Sequence, residues 1–154
     1  MEEQENKQQQ GSFFRFEDLR VYHKSLDYYQ WLRNQVKDFG EFDFKVIGKP
    51  LLKAAANISI NIAEGSARHK SQFVIFLKDA KTALRECVVW TAMAGKDGLL
   101  SEEQLAASNE QLAEMTKMLG AMVISLQRNG QRENRSEYQQ EQSTSTDLDS
   151  GFEY

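Results

Sequence analysis

Residues 53–68 read KAAANISINIAEGSAR and carry the strongest structural signal in the chain. At about 100° per residue, this segment and Leu51 before it form a helix with an apolar face and an opposite polar face. The apolar face contains Leu51, Ala54, Ala55, Ile58 and Ile62. The polar face contains Lys53, Asn57, Asn61 and Glu64. Gly65 follows, and glycine is the residue that most readily ends a helix.

Asn57 and Asn61 lie four residues apart in this helix, although asparagine is a mediocre helix former. The structural interpretation is that both amides are buried and bond neighbouring helices, which fixes their register. The alternative is an exposed stripe that contacts RNA or a protein partner, and a catalytic role for Glu64 is the least favoured. With three further helices around this one, we expect Asn61 and Glu64 to hold Gly65 and the next turn at one end of a bundle.

The composition predicts one soluble, mainly helical domain. Of the 154 residues, 40% are hydrophobic and 27% are charged, and there is only one proline. No run approaches about 18 apolar residues, so we expect no membrane span. The acidic, amide-rich N-terminus lacks the features of a signal peptide, and Cys87 is the only cysteine. A cytoplasmic location is therefore expected. Cys87 falls within the apolar stripe of the third helix, so a buried structural thiol is favoured over a reactive one.

The chain divides into three regions. Residues 1–12 and 130–154 are polar and aperiodic, so we expect both to be disordered. Residues 13–129 carry four helical patterns: about Glu17 to Asp38, Val46–Lys49 to Glu64, a third helix with Ser71 as N-cap, and a fourth ending near Arg128 before Gly130. The fourth helix begins with a capping box formed by Ser101 and Gln104. The prediction is an all-α fold, an up-down-up-down antiparallel four-helix bundle.

Two surfaces of this bundle are candidates for binding. Within residues 44–70, positive charge prevails over a single acid, Glu64, and this excess could attract phosphates or simply be a solvated face. The candidate nucleic-acid contacts are Lys45, Lys49, Lys53, Arg68 and Lys70. The third helix has an apolar stripe for the core and a second apolar patch on its far side. That patch, Ile75, Val89 and Trp90, is the candidate oligomer interface.

The sequence offers little for catalysis. Two histidines, His23 and His69, and one cysteine do not make a convincing zinc site, and Glu-x-x-His is absent. The glycine-rich phosphate-binding motifs and Gly-x-Ser-x-Gly are absent too. We therefore predict no catalytic, cofactor-binding or metal-binding residues and a non-enzymatic binding or assembly protein.

Three motifs give the sequence a family resemblance. They are Phe16-x-Asp18-Leu19-x-Val21-Tyr22-x-Lys24-Ser25, Ile58-x-x-Asn61-Ile62-Ala63-Glu64-Gly65, and Phe73-x-x-Phe76-Leu77-x-x-Ala80 with Glu86. In this order they resemble the four-helix-bundle family of 23S rRNA-intervening sequence proteins, over about Phe16 to Leu126. The resemblance implies a left-handed four-helix bundle that assembles as a ring, a homopentamer. It also implies kinship with the accessory variability determinant proteins of diversity-generating retroelements, which bind a reverse transcriptase and RNA through basic outer surfaces.

Two functional hypotheses follow. The first is an oligomeric bundle that binds structured RNA or a ribonucleoprotein through the basic residues around the second helix. The alternative is a protein-interaction scaffold, similar to a reverse-transcriptase accessory protein, that makes no direct contact with nucleic acid. In both, the expected partners are further copies of the chain and an RNA or an RNA-binding protein, with no membrane and no metal.

Overall fold

A computed structural model describes residues 11–149, and within that range the fold is all-α with four long helices and no strand. The helices are α1 (Arg20–Val36), α2 (Lys49–Ser66), α3 (Lys70–Lys96) and α4 (Glu102–Asp149). A 3-10 turn, Arg15–Asp18, precedes α1. The first predicted helix was therefore too long at its start, because Leu19 has extended backbone angles and separates the turn from α1.

The entry into α2 is helical but irregular. A short helical segment, Glu41–Asp43, and a π-helical segment, Phe44–Gly48, run directly into α2. Pro50 lies in the first turn of α2 and has no N–H to donate to the preceding turn. A π-helical turn at this point is consistent with that missing bond, since proline disturbs the regular i to i−4 pattern. The predicted start of the second helix near Val46–Lys49 is confirmed.

The four helices pack as a closed cycle: α1 contacts α2, α2 contacts α3, α3 contacts α4, and α4 contacts α1. The apolar face predicted around residues 53–68 is buried in this cycle. The shared core contains Tyr28 and Leu32 from α1, Ile58 and Ile62 from α2, Leu77 and Cys87 from α3, and Leu112 and Leu119 from α4. Burying one such side chain contributes about 1.5–3 kcal/mol, so this core is the main source of stability.

A smaller apolar cluster closes the end of the bundle where α3 passes into α4. Ile47, Ala94 and Leu100 are buried there, and Phe39 and Trp90 pack against both this cluster and the main core. Gly98 makes the tight turn with a φ of 73°, a conformation that glycine adopts without steric cost. The turn is followed by the predicted capping box. The Ser101 backbone N–H donates to Gln104 Oε1 over 2.8 Å and the Gln104 N–H donates to Ser101 Oγ over 3.1 Å, so this prediction is confirmed.

Hydroxyl groups make the buried polar contacts between helices. Ser25 and Ser59 join α1 to α2 through a 2.7 Å hydrogen bond, and Tyr28 and Ser108 join α1 to α4 through one of 2.8 Å. All four residues are buried. A buried hydroxyl without a partner is costly, so these two bonds favour one register of α1 against its neighbours.

Two predicted helix boundaries were wrong. Ser71 lies inside α3, whose N-cap is His69 with no side-chain cap. Gly130 does not end the fourth helix, because α4 continues through it to Asp149. The Gln, Glu and Arg residues that follow are good helix formers, and they continue a helix that a single glycine weakens by only about 1 kcal/mol. Residues 131–149, where no regular structure was predicted, are therefore helical.

The expected disorder of residues 1–12 falls almost wholly on positions outside the described range. Residues 150–154 of the predicted tail also lie outside it. Within the described residues, no helix is long and apolar enough to cross a membrane.

Candidate interaction surfaces

Asn57 and Asn61 are half-buried on α2, but they do not join it to another helix. The Asn61 side chain donates to the Asn57 backbone carbonyl over 2.8 Å, one turn earlier in the same helix. Among the described residues, neither amide side chain bonds a neighbouring helix. The contacts expected of these two amides with neighbouring helices are therefore not found. The polar contacts between helices include the hydroxyl pairs described above and a 2.7 Å hydrogen bond that Gln104 Nε2 of α4 donates to Gln35 Oε1 of α1.

Gly65 lies inside α2 and not at its end. The helix continues to Ser66 and is followed by Ala67 in a right-handed conformation, so the predicted terminating role is wrong. A Cβ atom at Gly65 would lie 2.6 Å from Cβ of Phe76 and 2.7 Å from Cδ2 of Phe73. Such distances are too short for real contacts, so the absence of a side chain at Gly65 is what allows α2 and α3 to approach each other here.

The turn after Gly65 carries charged groups with nearby partners. Glu64 Oε2 lies 3.8 Å from the Arg68 guanidinium, whose carbon lies 5.6 Å from the centre of the Phe76 ring. Lys70 forms an ion pair with Glu133 of α4. Two of the five candidate phosphate contacts, Arg68 and Lys70, therefore already face an acidic group. Exposed ion pairs are weak, so these partners reduce the local positive potential more than they stabilise the fold.

The other three candidates form a separate stripe. Lys45, Lys49 and Lys53 recur every four residues, are exposed, and have no ion-pair partner among the described residues. At 1.5 Å per residue they span about 12 Å, and about 20 Å of helix separates Lys53 from the end of α2, after which Arg68 follows. The structure thus divides the predicted basic cluster into an uncompensated lysine stripe and a compensated pair at the opposite end of α2.

The predicted apolar patch on α3 is also divided. Val89 is 53% exposed, whereas Trp90 is half-buried and packs against both apolar clusters. Ile75 is exposed as well, but it lies about 21 Å away along α3. Polar residues on the same side of the helix lie between them: Asp79, Thr82 and Glu86. Only Val89 of the three predicted residues therefore belongs to an extended exposed apolar surface.

That surface, here called the α3 patch, consists of Val46, Val88, Val89 and Met93. These side chains line a shallow groove of about 510 Å³ beside Trp90 and Lys96. Each of the four is at least 39% exposed. The periodic pair Val89 and Met93 could have been found from the sequence. Val46 could not, because only the irregular entry into α2 brings it beside α3.

A second apolar surface, the α1–α2 groove, was not predicted. Phe16, Tyr22, Leu26, Tyr29, Ile60 and Ala63 line it, and its volume is about 310 Å³. Ile60 is 55% exposed and Leu26 is 40% exposed. The signal available in the sequence was that Ile60 falls on neither the apolar face of α2 nor its Asn stripe.

Among the described residues, three ionisable groups have clearly shifted pKa values, and each shift has a structural cause. Burial raises the pKa of the Cys87 thiol to about 12 and raises that of the Tyr28 phenol. A 2.7 Å contact with the Lys24 ammonium lowers the pKa of the exposed Glu114 carboxyl. Cys87 and Tyr28 lie in the core, and the described residues contain no group of three His, Cys, Asp or Glu side chains placed to hold a metal ion.

These observations define the class of protein: an all-α molecule of four packed helices with an exposed lysine stripe and two exposed apolar surfaces. The model of one family, described as 23S rRNA-intervening sequence protein, matches residues 17–121. The match covers more than half of the 154 residues, so the chain belongs to the 23S rRNA-intervening sequence protein family. A search of curated proteins returns no match. The family match ends within α4, before its C-terminal extension.

Proposed function

We propose that this protein is a non-enzymatic, oligomeric four-helix bundle that binds RNA or a ribonucleoprotein through the lysine stripe of α2. The main observation behind this proposal is that Lys45, Lys49 and Lys53 lie on one exposed side of α2 and the segment that leads into it. None of them has an acidic partner in the described part of the chain. Phosphates that contact such lysines release counterions, which favours binding at low salt. The family's name also links its members to 23S rRNA intervening sequences.

Filter binding of a labelled 23S rRNA intervening-sequence transcript, measured at two salt concentrations, tests this proposal. We expect Lys49→Glu/Lys53→Glu to weaken binding and to reduce the salt slope by roughly 1 for each lost phosphate contact. Lys78→Glu/Arg85→Glu makes the same change of charge on exposed positions of α3 and serves as the control. An absence of binding at low salt, or an equal loss in both variants, would reject the lysine stripe as the binding surface.

A second candidate function, a protein-interaction scaffold, is favoured by the two apolar surfaces. A ring requires a heterologous interface, in which one surface of a subunit contacts a different surface of the next. The α3 patch and the α1–α2 groove lie on different helices and supply two such surfaces. The proposed assembly is a homopentameric ring, as the family resemblance implies, and its subunits are up-down-up-down antiparallel bundles. A cytoplasmic location, expected from the sequence, is part of the proposal.

Sedimentation velocity at micromolar concentration tests the assembly. Val89→Glu is a sharper probe than Trp90→Glu, because Trp90 packs against the core and its loss also weakens the fold. We expect Val89→Glu to lower the sedimentation coefficient while the helical circular dichroism signal is retained. Ile75→Glu, at an exposed apolar position distant from the α3 patch, is the matched control. A monomeric wild-type protein would exclude both the ring and the role of this patch.

A further inference from the structure

The C-terminal half of α4 carries a basic face that the sequence analysis did not single out. Arg128, Arg132 and Arg135 are all exposed, and at 100° per residue they lie within about 60° of one another around the helix. Tyr138, which is 68% exposed, follows Arg135 by three residues and lies about 60° from it around the helix, at the edge of the arginine face. No acidic side chain of the described residues pairs with any of the three arginines.

The acidic residues of the same segment lie on a different side of the helix. Glu133, Glu137 and Glu141 are more than about 100° from the centre of the arginine face. Glu133 pairs with Lys70 of α3, so the acidic side of α4 faces α3 at this point. The arginine face therefore points away from α3. The charges are therefore separated into two stripes and do not form the mixed pairs that stabilise a solvated helix.

This separation has an energetic consequence. Arg128 and Arg132 are like charges four residues apart, as are Glu133 and Glu137, and each such pair destabilises an isolated helix by about 0.2–0.5 kcal/mol. A polyanion along the arginine face would relieve the repulsion on that side. The adjacent exposed phenol ring supplies a flat surface on which an unpaired base can stack.

We propose that Arg128, Arg132, Arg135 and Tyr138 form a binding face for single-stranded nucleic acid, in which the arginines contact consecutive phosphates and Tyr138 stacks on a base. The face lies outside residues 17–121, the part of the chain that matches the family model. It is also separate from the lysine stripe on α2, and either surface can function without the other.

Fluorescence anisotropy with the full-length chain and a fluorescein-labelled, unstructured 20-nucleotide RNA tests this inference. Arg132→Gln/Arg135→Gln is expected to weaken binding on the order of tenfold at low salt and to reduce the salt slope by about 1.4, since each phosphate contact on a single strand contributes about 0.7. Gln140→Glu/Thr144→Glu makes the same change in net charge on the acidic side of the same segment. We expect the affinity of this control to change much less.

Variants of Tyr138 distinguish base stacking from electrostatic attraction. Tyr138→Ala is expected to weaken binding about five- to a hundredfold, the usual effect of losing a base-stacking ring, and Tyr138→Phe to retain the affinity. A duplex RNA of the same length should bind more weakly, because its bases are not free to stack. All variants change exposed side chains, and unchanged circular dichroism confirms that they fold.

The inference would be overturned by no binding by the wild type, by equal losses in the arginine variant and its charge control, or by binding of polyglutamate with the affinity of the RNA. The last result would assign the face to an acidic protein partner. The lysine proposal is tested independently by the same probe. If Lys49→Glu/Lys53→Glu abolishes binding and the arginine variant does not, the lysine stripe is supported and the α4 face is rejected.

Discussion

At the scale of single residues, Gly65 shows how a correct position can be found for the wrong reason. The sequence indicated a special glycine after the Asn-Ile-Ala-Glu run, and helix termination is the commonest role for such a residue. In the structure the residue lies inside α2, and Phe73 and Phe76 occupy the space where a side chain would lie. Contact between residues from two helices cannot be read from the periodicity of either one.

We predict that Gly65→Ala destabilises the protein by about 1–3 kcal/mol, because the added methyl group overlaps two phenylalanine side chains in a packed region. Gly120→Ala is the matched control within α4, where nothing lies within 4 Å of the added atom. It should instead stabilise by about 0.5–1 kcal/mol through helix propensity. Urea unfolding followed by circular dichroism measures both. Equal effects of the two substitutions would contradict the close approach of α2 and α3.

Cys87 gives a second residue-scale prediction, concerning alkaline stability. Burial raises the pKa of its thiol from 9.0 to about 12, so between these values the unfolded chain loses a proton that the folded chain keeps. The free energy of unfolding therefore falls as pH rises above 9, by about 1.4 kcal/mol at pH 10 from this group. Below pH 9 the contribution of the Cys87 thiol to the free energy of unfolding is fully present.

Urea unfolding of wild type and Cys87→Ala at pH 8 and pH 10 measures this effect. The variant is expected to be less stable at pH 8, because it leaves a small cavity in the core, but to lose less stability between the two pH values. Groups that do not interact with the thiol contribute equally to both proteins and cancel in the comparison. Tyr28 is the exception, because Cys87 also helps to raise its pKa, and this effect is smaller than that of burial. An identical pH dependence would show that the thiol does not carry this part of the alkaline destabilisation.

At the scale of elements, α4 differs most from its prediction. Its first part packs against α1 and α3, and its sequence shows the apolar stripe and the capping box expected of a core helix. Beyond Gly130 the described side chains through residue 144 are exposed, so no apolar periodicity marks the helix there. Local propensity sustains this part of α4, and propensity is a weaker signal in a sequence than a buried stripe.

A chain that ends at Gly130 should therefore keep the stability of the full-length protein to within about 1 kcal/mol. Among the side chains that the structure describes, through residue 144, the truncation removes only exposed ones and one surface ion pair, Lys70 with Glu133. Thermal unfolding monitored at 222 nm measures this, together with the helical signal lost from the extension. A chain that ends at Leu119 is the contrasting case, since it removes Val123 and Leu126 from the core cluster, and we expect it to be several kcal/mol less stable. A similar loss in both truncations would mean that the extension stabilises the bundle.

At the scale of the whole molecule, the exposed surfaces say more about binding and assembly than any single residue does. The basic residues between positions 45 and 70 form two groups in the structure. Glu64 and Glu133 pair with Arg68 and Lys70, and the lysine stripe keeps its positive charge. Apolar residues from separate elements are brought together instead, as Val46 and Val89 are in the α3 patch. Binding and assembly depend on these surfaces, so the functional proposals rest on tertiary placement more than on motifs.

Mixing two variants gives a prediction about the proposed heterologous interface. Val89→Glu leaves the α1–α2 groove intact, and Ile60→Glu leaves the α3 patch intact. Each variant alone should be monomeric, and the mixture should form heterodimers through the one undamaged pair of surfaces, because a ring cannot close without both. Analytical ultracentrifugation of each variant and of an equimolar mixture measures this. If either variant dimerises alone, the interface is isologous and the head-to-tail arrangement is wrong.

The sequence by itself determined the helical class, the apolar faces of the four helices and the capping box at Ser101, because these depend on spacing and on contacts within a few residues. It also determined the family, through motifs in the region that the family model matches. The tertiary structure alone decided which polar groups join the helices, why Gly65 lacks a side chain, and which charges remain uncompensated. Those properties depend on distances between residues far apart in the chain, such as Ser108 from Tyr28 and Glu133 from Lys70, and no local pattern encodes them.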